Sequence, residues 1–159
     1  MTAKLNTLKL ILFIFTIALS LNRAQAQAKN ALGFGPALNV SGEGMGIGAR
    51  LQGEIKINRK IAIVPAIGLE VPYFAYAGIS GKYYFQPRFY GMLGILANIA
   101  SLDTGDQGIG GSAALGYELV SSRKHILDLN LHGDTFTAEG EAAGVAGLRL
   151  TYNFSFSGK

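Results

Sequence analysis

The chain has 159 residues, with 49% hydrophobic and 15% charged content, 22 glycines and no cysteine. The lack of cysteine excludes a disulfide framework and every cysteine-based metal or redox motif. Its formal charge of +4 depends on Lys4, Lys9 and Arg23 near the N-terminus; without them 11 bases face 10 acids, a net of +1, which leaves nucleic-acid binding without electrostatic support.

Those three cations belong to a segment that reads as a secretory signal over residues 1–26. Lys4 and Lys9 give a basic start, Leu10 to Leu21 is apolar apart from Thr16 and Ser20, and Ala24-Gln25-Ala26 is a small-x-small cleavage site. The apolar run of about 12 residues is short for a spanning helix, which needs roughly 20. Residues 27–159 then form one mature domain.

Along that domain the pattern alternates with a period of two through eight segments separated by turn-forming residues, which predicts strands at 31–40, 44–58, 61–71, 75–85, 88–100, 108–120, 125–133 and 142–156. Strand one is the faintest: Leu32, Phe34, Leu38 and Val40 oppose mostly small residues. In strand two Met45, Ile47, Ala49, Leu51, Ile55 and Ile57 share one face, with Arg50, Gln52, Glu54, Lys56 and Asn58 on the other. Strand three continues in phase, setting Ile61, Ile63, Pro65, Ile67, Leu69 and Val71 against a face that ends in Glu70. Strands four to seven repeat the division, with Tyr76, Ser80, Lys82, Tyr84, Tyr90, Asn98, Ser112, Glu118, Asp128, Asn130 and His132 on the polar side. In strand eight the apolar residues move to even positions, Leu148 to Phe156, opposite Arg149, Thr151, Asn153 and Ser155.

Charge count decides which face meets which solvent. A water-soluble surface carries about a quarter to a third charged residues, whereas no segment here has more than three. Turning the charges outward would expose wide apolar bands to water. Turning them inward gives the apolar-out, polar-in pattern of an up-and-down transmembrane barrel with an even strand number and no free edge.

The connections divide the same way. Asn58-Arg59-Lys60, Gln86-Pro87-Arg88 and Ser121 to Lys124 are tight and basic; Ser41 to Gly44, Pro72 to Phe74, Ser101 to Gln107 and Asp134 to Glu141 include the longer links and carry Glu43, Asp103, Asp106, Asp134, Glu139 and Glu141. Because such barrels have short periplasmic turns and longer external loops, the basic turns and both termini are expected on the periplasmic side. An aromatic girdle is expected from Tyr83, Phe85, Phe89, Tyr117, Phe154 and Phe156 at the basic end and from Tyr73 and Phe74 at the acidic end.

From Asn30 to Phe156, and in the closing Leu148-Arg149-Leu150-Thr151-Tyr152-Asn153-Phe154 segment, the chain resembles the small eight-stranded outer-membrane barrels of the OmpA/OmpX-like type, including the compact outer membrane protein beta-barrel families of Bacteroidota. It differs from their usual aromatic terminus in ending Ser157-Gly158-Lys159. The resemblance implies an outer-membrane location, outer-membrane lipid around the barrel, and periplasmic chaperones and the barrel assembly machinery as partners in biogenesis.

An eight-stranded barrel is just wide enough inside for side chains to fill. The phase assigns Arg50, Glu54, Glu70, Lys82, Glu118, Asp128, His132 and Arg149 to that space, where opposite charges should pair into a network that closes the lumen. Glycines at 46, 48, 68, 78, 94, 110 and 116 share the phase and would make room for it.

Catalytic signals are poor. The lipid A deacylases, which resemble this scaffold, use a His, Ser and Glu set; here Asp134 stands two residues after His132 where a serine is needed, and His132 points inward. Gly44-x-Gly46-x-x-Ala49 and Gly108-x-Gly110-x-x-Ala113 mimic a dinucleotide fingerprint but lie within strand alternation, where no helix can begin. Asp103 to Asp106 lacks the ligand spacing of a calcium loop. The expectation is a non-enzymatic barrel without catalytic, cofactor-binding or metal residues, acting in envelope integrity, surface contact or adhesion; a lipid-modifying barrel enzyme and a narrow ion or small-solute channel are the alternatives.

Overall fold

The computed structural model describes residues 30–42, 44–71, 74–101, 108–138 and 141–156. The signal segment, Tyr73 and the acidic residues Glu43, Asp103, Asp106 and Glu139 lie outside them. Eight strands, β1 (Asn30–Ser41), β2 (Gly44–Lys56), β3 (Ile61–Val71), β4 (Phe74–Tyr84), β5 (Phe89–Ser101), β6 (Gly108–Ser121), β7 (His125–Ala138) and β8 (Glu141–Phe156), follow one another around a closed antiparallel barrel. The circle closes where β1 pairs with β8, from Asn30 opposite Phe156 to Ser41 opposite Val145, which puts both ends of the domain at the rim of the basic turns. Both glycine strings that mimic a nucleotide motif run as strand, in β2 and β6.

Alternation does the sorting. Leu93 and Ile109 are each 73% exposed and Met45 79%, whereas Arg149, Glu70 and Asp128 are at 0%. Polar groups therefore occupy the interior and aliphatic side chains the outside, the reverse of a soluble protein.

Several details depart from the sequence reading. β7 and β8 continue past the expected ends until Ala138 faces Glu141, so most of the supposed acidic loop from Asp134 is strand. Asp134 keeps the inward phase of His132 and finds donors inside the barrel, which makes an acid acceptable in a strand at that level. β2 stops at Lys56, and the turn spans residues 57–60: Ile57 and Asn58 both donate to the Ile61 carbonyl, while the Asn58 side-chain oxygen accepts from the Lys60 and Ile61 amides. Phe74 does not join a girdle; it is fully buried against Tyr76, with ring centroids 5.6 Å apart. A bulge between Glu118 and Val120 turns both Leu119 and Val120 outward, and another lies near Ala75 and Tyr76.

Proline leaves its own mark on the ladders. The β1–β8 register passes from Phe34–Tyr152 to Ala37–Arg149, omitting Pro36, and the β2–β3 register passes from Gln52–Ala66 to Ile55–Ile63, omitting Pro65. Each proline lacks the N–H that the ladder would use.

Inward glycines permit close approach. A Cβ on Gly68 would collide with the Tyr76 ring, and one on Gly116 with the Tyr90 ring. Replacing Gly116 with Val should therefore displace Tyr90 and cost about 1–3 kcal/mol in urea unfolding from lipid vesicles. Gly53→Ala is the control: its Cβ would meet the Pro65 ring at an ordinary 3.5 Å, and the change should stay within about 0.5 kcal/mol.

Candidate functional site

The interior is the one concentration of chemistry among the described residues, and it is arranged in two layers. Near the basic turns the centre is Glu54 of β2. Its carboxylate takes the Lys56 ammonium at 2.6 Å and the Lys82 ammonium at 2.8 Å. Both lysines also lie over tyrosine rings, Lys56 3.6 Å from the centroid of Tyr84 and Lys82 3.8 Å from that of Tyr90. Among the described residues Asp128 joins no ion pair; it accepts from the Tyr90 hydroxyl at 2.9 Å, Asn153 at 2.7 Å and Asn130 at 3.3 Å. Three donors satisfy that carboxylate without a cation.

The Tyr84 hydroxyl lies 2.9 Å from Glu54 Oε1 and 2.8 Å from Glu118 Oε1. A phenol has a single proton, so both contacts are hydrogen bonds only if one carboxyl brings a proton of its own. Glu54 faces two ammonium groups; among the described residues Glu118 joins no ion pair. A neutral Glu118 donating to Tyr84, which donates to Glu54, would satisfy both contacts. It also leaves Lys56 and Lys82 balanced by Glu54 and Asp128.

The second layer lies toward the other end. Arg149 Nη2 is 3.1 Å from Glu70 and 3.7 Å from Asp134, and Asn39 donates to Glu70. The Ser112 hydroxyl donates to Asp134 at 2.5 Å. His132 Nε2 stands 3.8 Å from Asp134 Oδ2, too far for a hydrogen bond. Arg50, 2% exposed, makes none of these ion pairs. Glu70, His132 and Asp134 bring ligand atoms within 4.8 Å of one another, a set that could hold a metal ion. Arg149 already pairs with both carboxylates, so a divalent cation would have to sit beside a guanidinium. Ion pairing is the better account of the cluster.

The closed eight-stranded architecture has counterparts among solved structures. A designed transmembrane β-barrel matches with a TM-score of 0.52 at 11% identity, over 80% of this chain and 98% of its own. Neisserial surface protein A matches at 0.57 and 13% identity over 82% and 98%, and the Yersinia pestis outer membrane protein Ail at 0.50 and 12% over 80% and 100%. The fold is a transmembrane β-barrel. At such identities the likeness extends to architecture alone. No family model and no curated protein sequence matches the chain.

The barrel places all eight lumen-phased residues, Arg50, Glu54, Glu70, Lys82, Glu118, Asp128, His132 and Arg149, inside, each no more than 3% exposed. Direct contacts join Glu54 to Lys82 and Glu70 to Arg149, while Tyr84 links Glu54 to Glu118. Arg50, Asp128 and His132 are inside without a direct hydrogen bond or ion pair to another of the eight among the described contacts. The sequence reading left out Lys56, Asp134, Asn39, Tyr84 and Tyr90 as members. Their phase was the available signal: Lys56 follows Glu54 by two residues and Asp134 follows His132 by two.

The hydrogen count predicts unequal outcomes for two substitutions of the same kind. Glu118→Gln keeps shape and can donate to Tyr84 as a neutral acid would, so unfolding free energy should change by less than about 1 kcal/mol. Glu54→Gln leaves two buried ammonium groups without their carboxylate and should cost about 3 kcal/mol or more. Urea titration of both variants folded in lipid vesicles measures the difference.

Proposed function

We propose that this protein is a non-enzymatic integral outer-membrane barrel whose charged side chains close the lumen and whose rigid wall presents external loops in envelope integrity, surface contact or adhesion. The observation that carries this reading is the two-layered interior: tyrosines, amides and ion pairs from all eight strands meet across the axis where a pore would need water. In this reading the basic turns and both termini face the periplasm, the signal segment is removed on export, and lipid and the assembly machinery are the partners in biogenesis.

Support against the lipid-modifying alternative comes from His132, the imidazole that would serve as base. It is 2% exposed and sits inside the barrel with Asp134, away from the hydrocarbon in which an acyl substrate lies. Against a channel stands the filling itself, since side chains of this size complete an eight-stranded interior.

The folded protein should remain in the membrane fraction, migrate differently on a gel before and after boiling, and give no conductance steps in planar bilayers. Steady conductance would defeat the closed lumen, and loss of lipid A acyl chains in the presence of the protein but not of His132→Ala would establish the enzyme. Sidedness is measurable because the chain has no cysteine of its own. A Ser122→Cys variant should resist an impermeant maleimide in intact cells, and Gly42→Cys should react.

A further inference from the structure

The rim at the basic turns is built as a comb of fixed cations. Its three turns carry Arg59, Lys60, Arg88, Arg123 and Lys124 and no acid, and Arg59, Lys60, Arg123 and Lys124 are exposed. These positions are held by more than their own hairpins. The Lys60 carbonyl accepts the Tyr84 amide at 2.8 Å, the Arg88 carbonyl the Glu118 amide at 2.9 Å, and the Lys124 carbonyl the Ser155 amide at 2.8 Å. Each turn is thereby bonded to the strand beyond its own hairpin, so that a cation stands at the junctions β3–β4, β5–β6 and β7–β8, two strands apart around the circle. The remaining junction, β1–β2, has the Lys56 amide donating to the Asn30 side chain at 3.0 Å.

Immediately on the barrel side of these cations lie the outward aromatics. Tyr83, Phe85, Tyr152, Phe154 and Phe156 are all at least 42% exposed, and Tyr83 packs on Phe85 while Phe154 packs on Phe156. The Tyr152 hydroxyl shares a 2.6 Å hydrogen bond with the His125 ring at the same rim. Aromatics of this kind mark the level where hydrocarbon gives way to headgroups. Cations one step beyond them stand at the depth of lipid phosphate, and one step further out than the ion pairs of the interior.

We propose that this rim is a binding surface for anionic glycerophospholipid headgroups, each phosphate meeting a basic turn while its acyl chains lie along the aromatic and aliphatic wall. The assignment rests on the reading above that the barrel spans the membrane with this rim at the periplasmic leaflet. A cation near an anionic surface contributes roughly fivefold in affinity, and several act together until salt screens them.

The test uses the full mature chain folded in mixed micelles with equal phosphatidylglycerol and phosphatidylcholine, with retained lipid read by native mass spectrometry. Phosphatidylglycerol should be retained about tenfold over phosphatidylcholine at low ionic strength, and the preference should fall as salt rises. A variant combining Arg59→Gln, Lys60→Gln, Arg123→Gln and Lys124→Gln should lose it while still showing heat-modifiable migration, which separates loss of binding from loss of folding. Equal retention of the two lipids by the parent chain, or a preference that survives in the variant, overturns the proposal. A competition arm with lipid A distinguishes the source of the phosphate: lipid A retained over phosphatidylglycerol overturns the glycerophospholipid assignment. Failure of membrane fractionation or heat-modifiability would defeat the spanning reading instead, and is seen before any lipid is counted.

Discussion

A main-chain amide in hydrocarbon has no water to bond, and every other property of this chain follows from how that demand is met. Eight strands joined edge to edge in a circle leave no row of unpaired N–H and C=O groups facing lipid. Once the circle is closed, the pleat gives alternate residues to two opposite environments. Aliphatic side chains take the hydrocarbon, and whatever stands between them in the sequence must fit a narrow interior and find its bonding partners there.

That second demand explains the composition of the interior better than any catalytic scheme does. A lysine or glutamate withdrawn from water is costly unless its partner is close and its remaining hydrogen-bonding positions are filled. Glu54 meets this with two ammonium groups, Asp128 with a phenol and two amides, and Glu70 with Arg149 and Asn39. Tyrosines are well suited to the task because one side chain supplies both a ring for a cation and a hydroxyl for a carboxylate. Glycines opposite Tyr76 and Tyr90 give those rings the space to lie across the axis. Tertiary structure and electrostatics are here one problem: the same contacts that neutralise charge also fill volume.

The strand count, the antiparallel order and the outward set from Leu32 to Phe156 were legible in the alternation alone, because a period of two admits a single face assignment once charge has said which face is inside. Even the change of phase in β8 was visible, at Leu148 and Arg149. What the sequence did not display was anything that breaks the period or depends on a neighbour. The bulge after Glu118 turns two successive residues outward, and alternation has no means to signal it. Asp134 looked like a loop residue because acids are poor strand formers; only Ser112 on β6 and Arg149 on β8 make the site hospitable. Phe74 looked like a girdle residue because it stands at a strand end, yet its phase carries it to the lumen beside Tyr76. The membership of the interior was thus readable and the pairing was not, since partners come from strands far apart in sequence.

The omission of Pro36 from the β1–β8 ladder has a consequence for mechanics. Seven of the eight junctions join strands that are also connected by a hairpin, but this one is closed by hydrogen bonding and packing alone, and like β2–β3 it is interrupted at a residue without an N–H. Thermal breathing of the cylinder will concentrate there. A zipper with a missing tooth parts first at the gap, so exchange of main-chain protons along β1 and β8 will run ahead of that along β6.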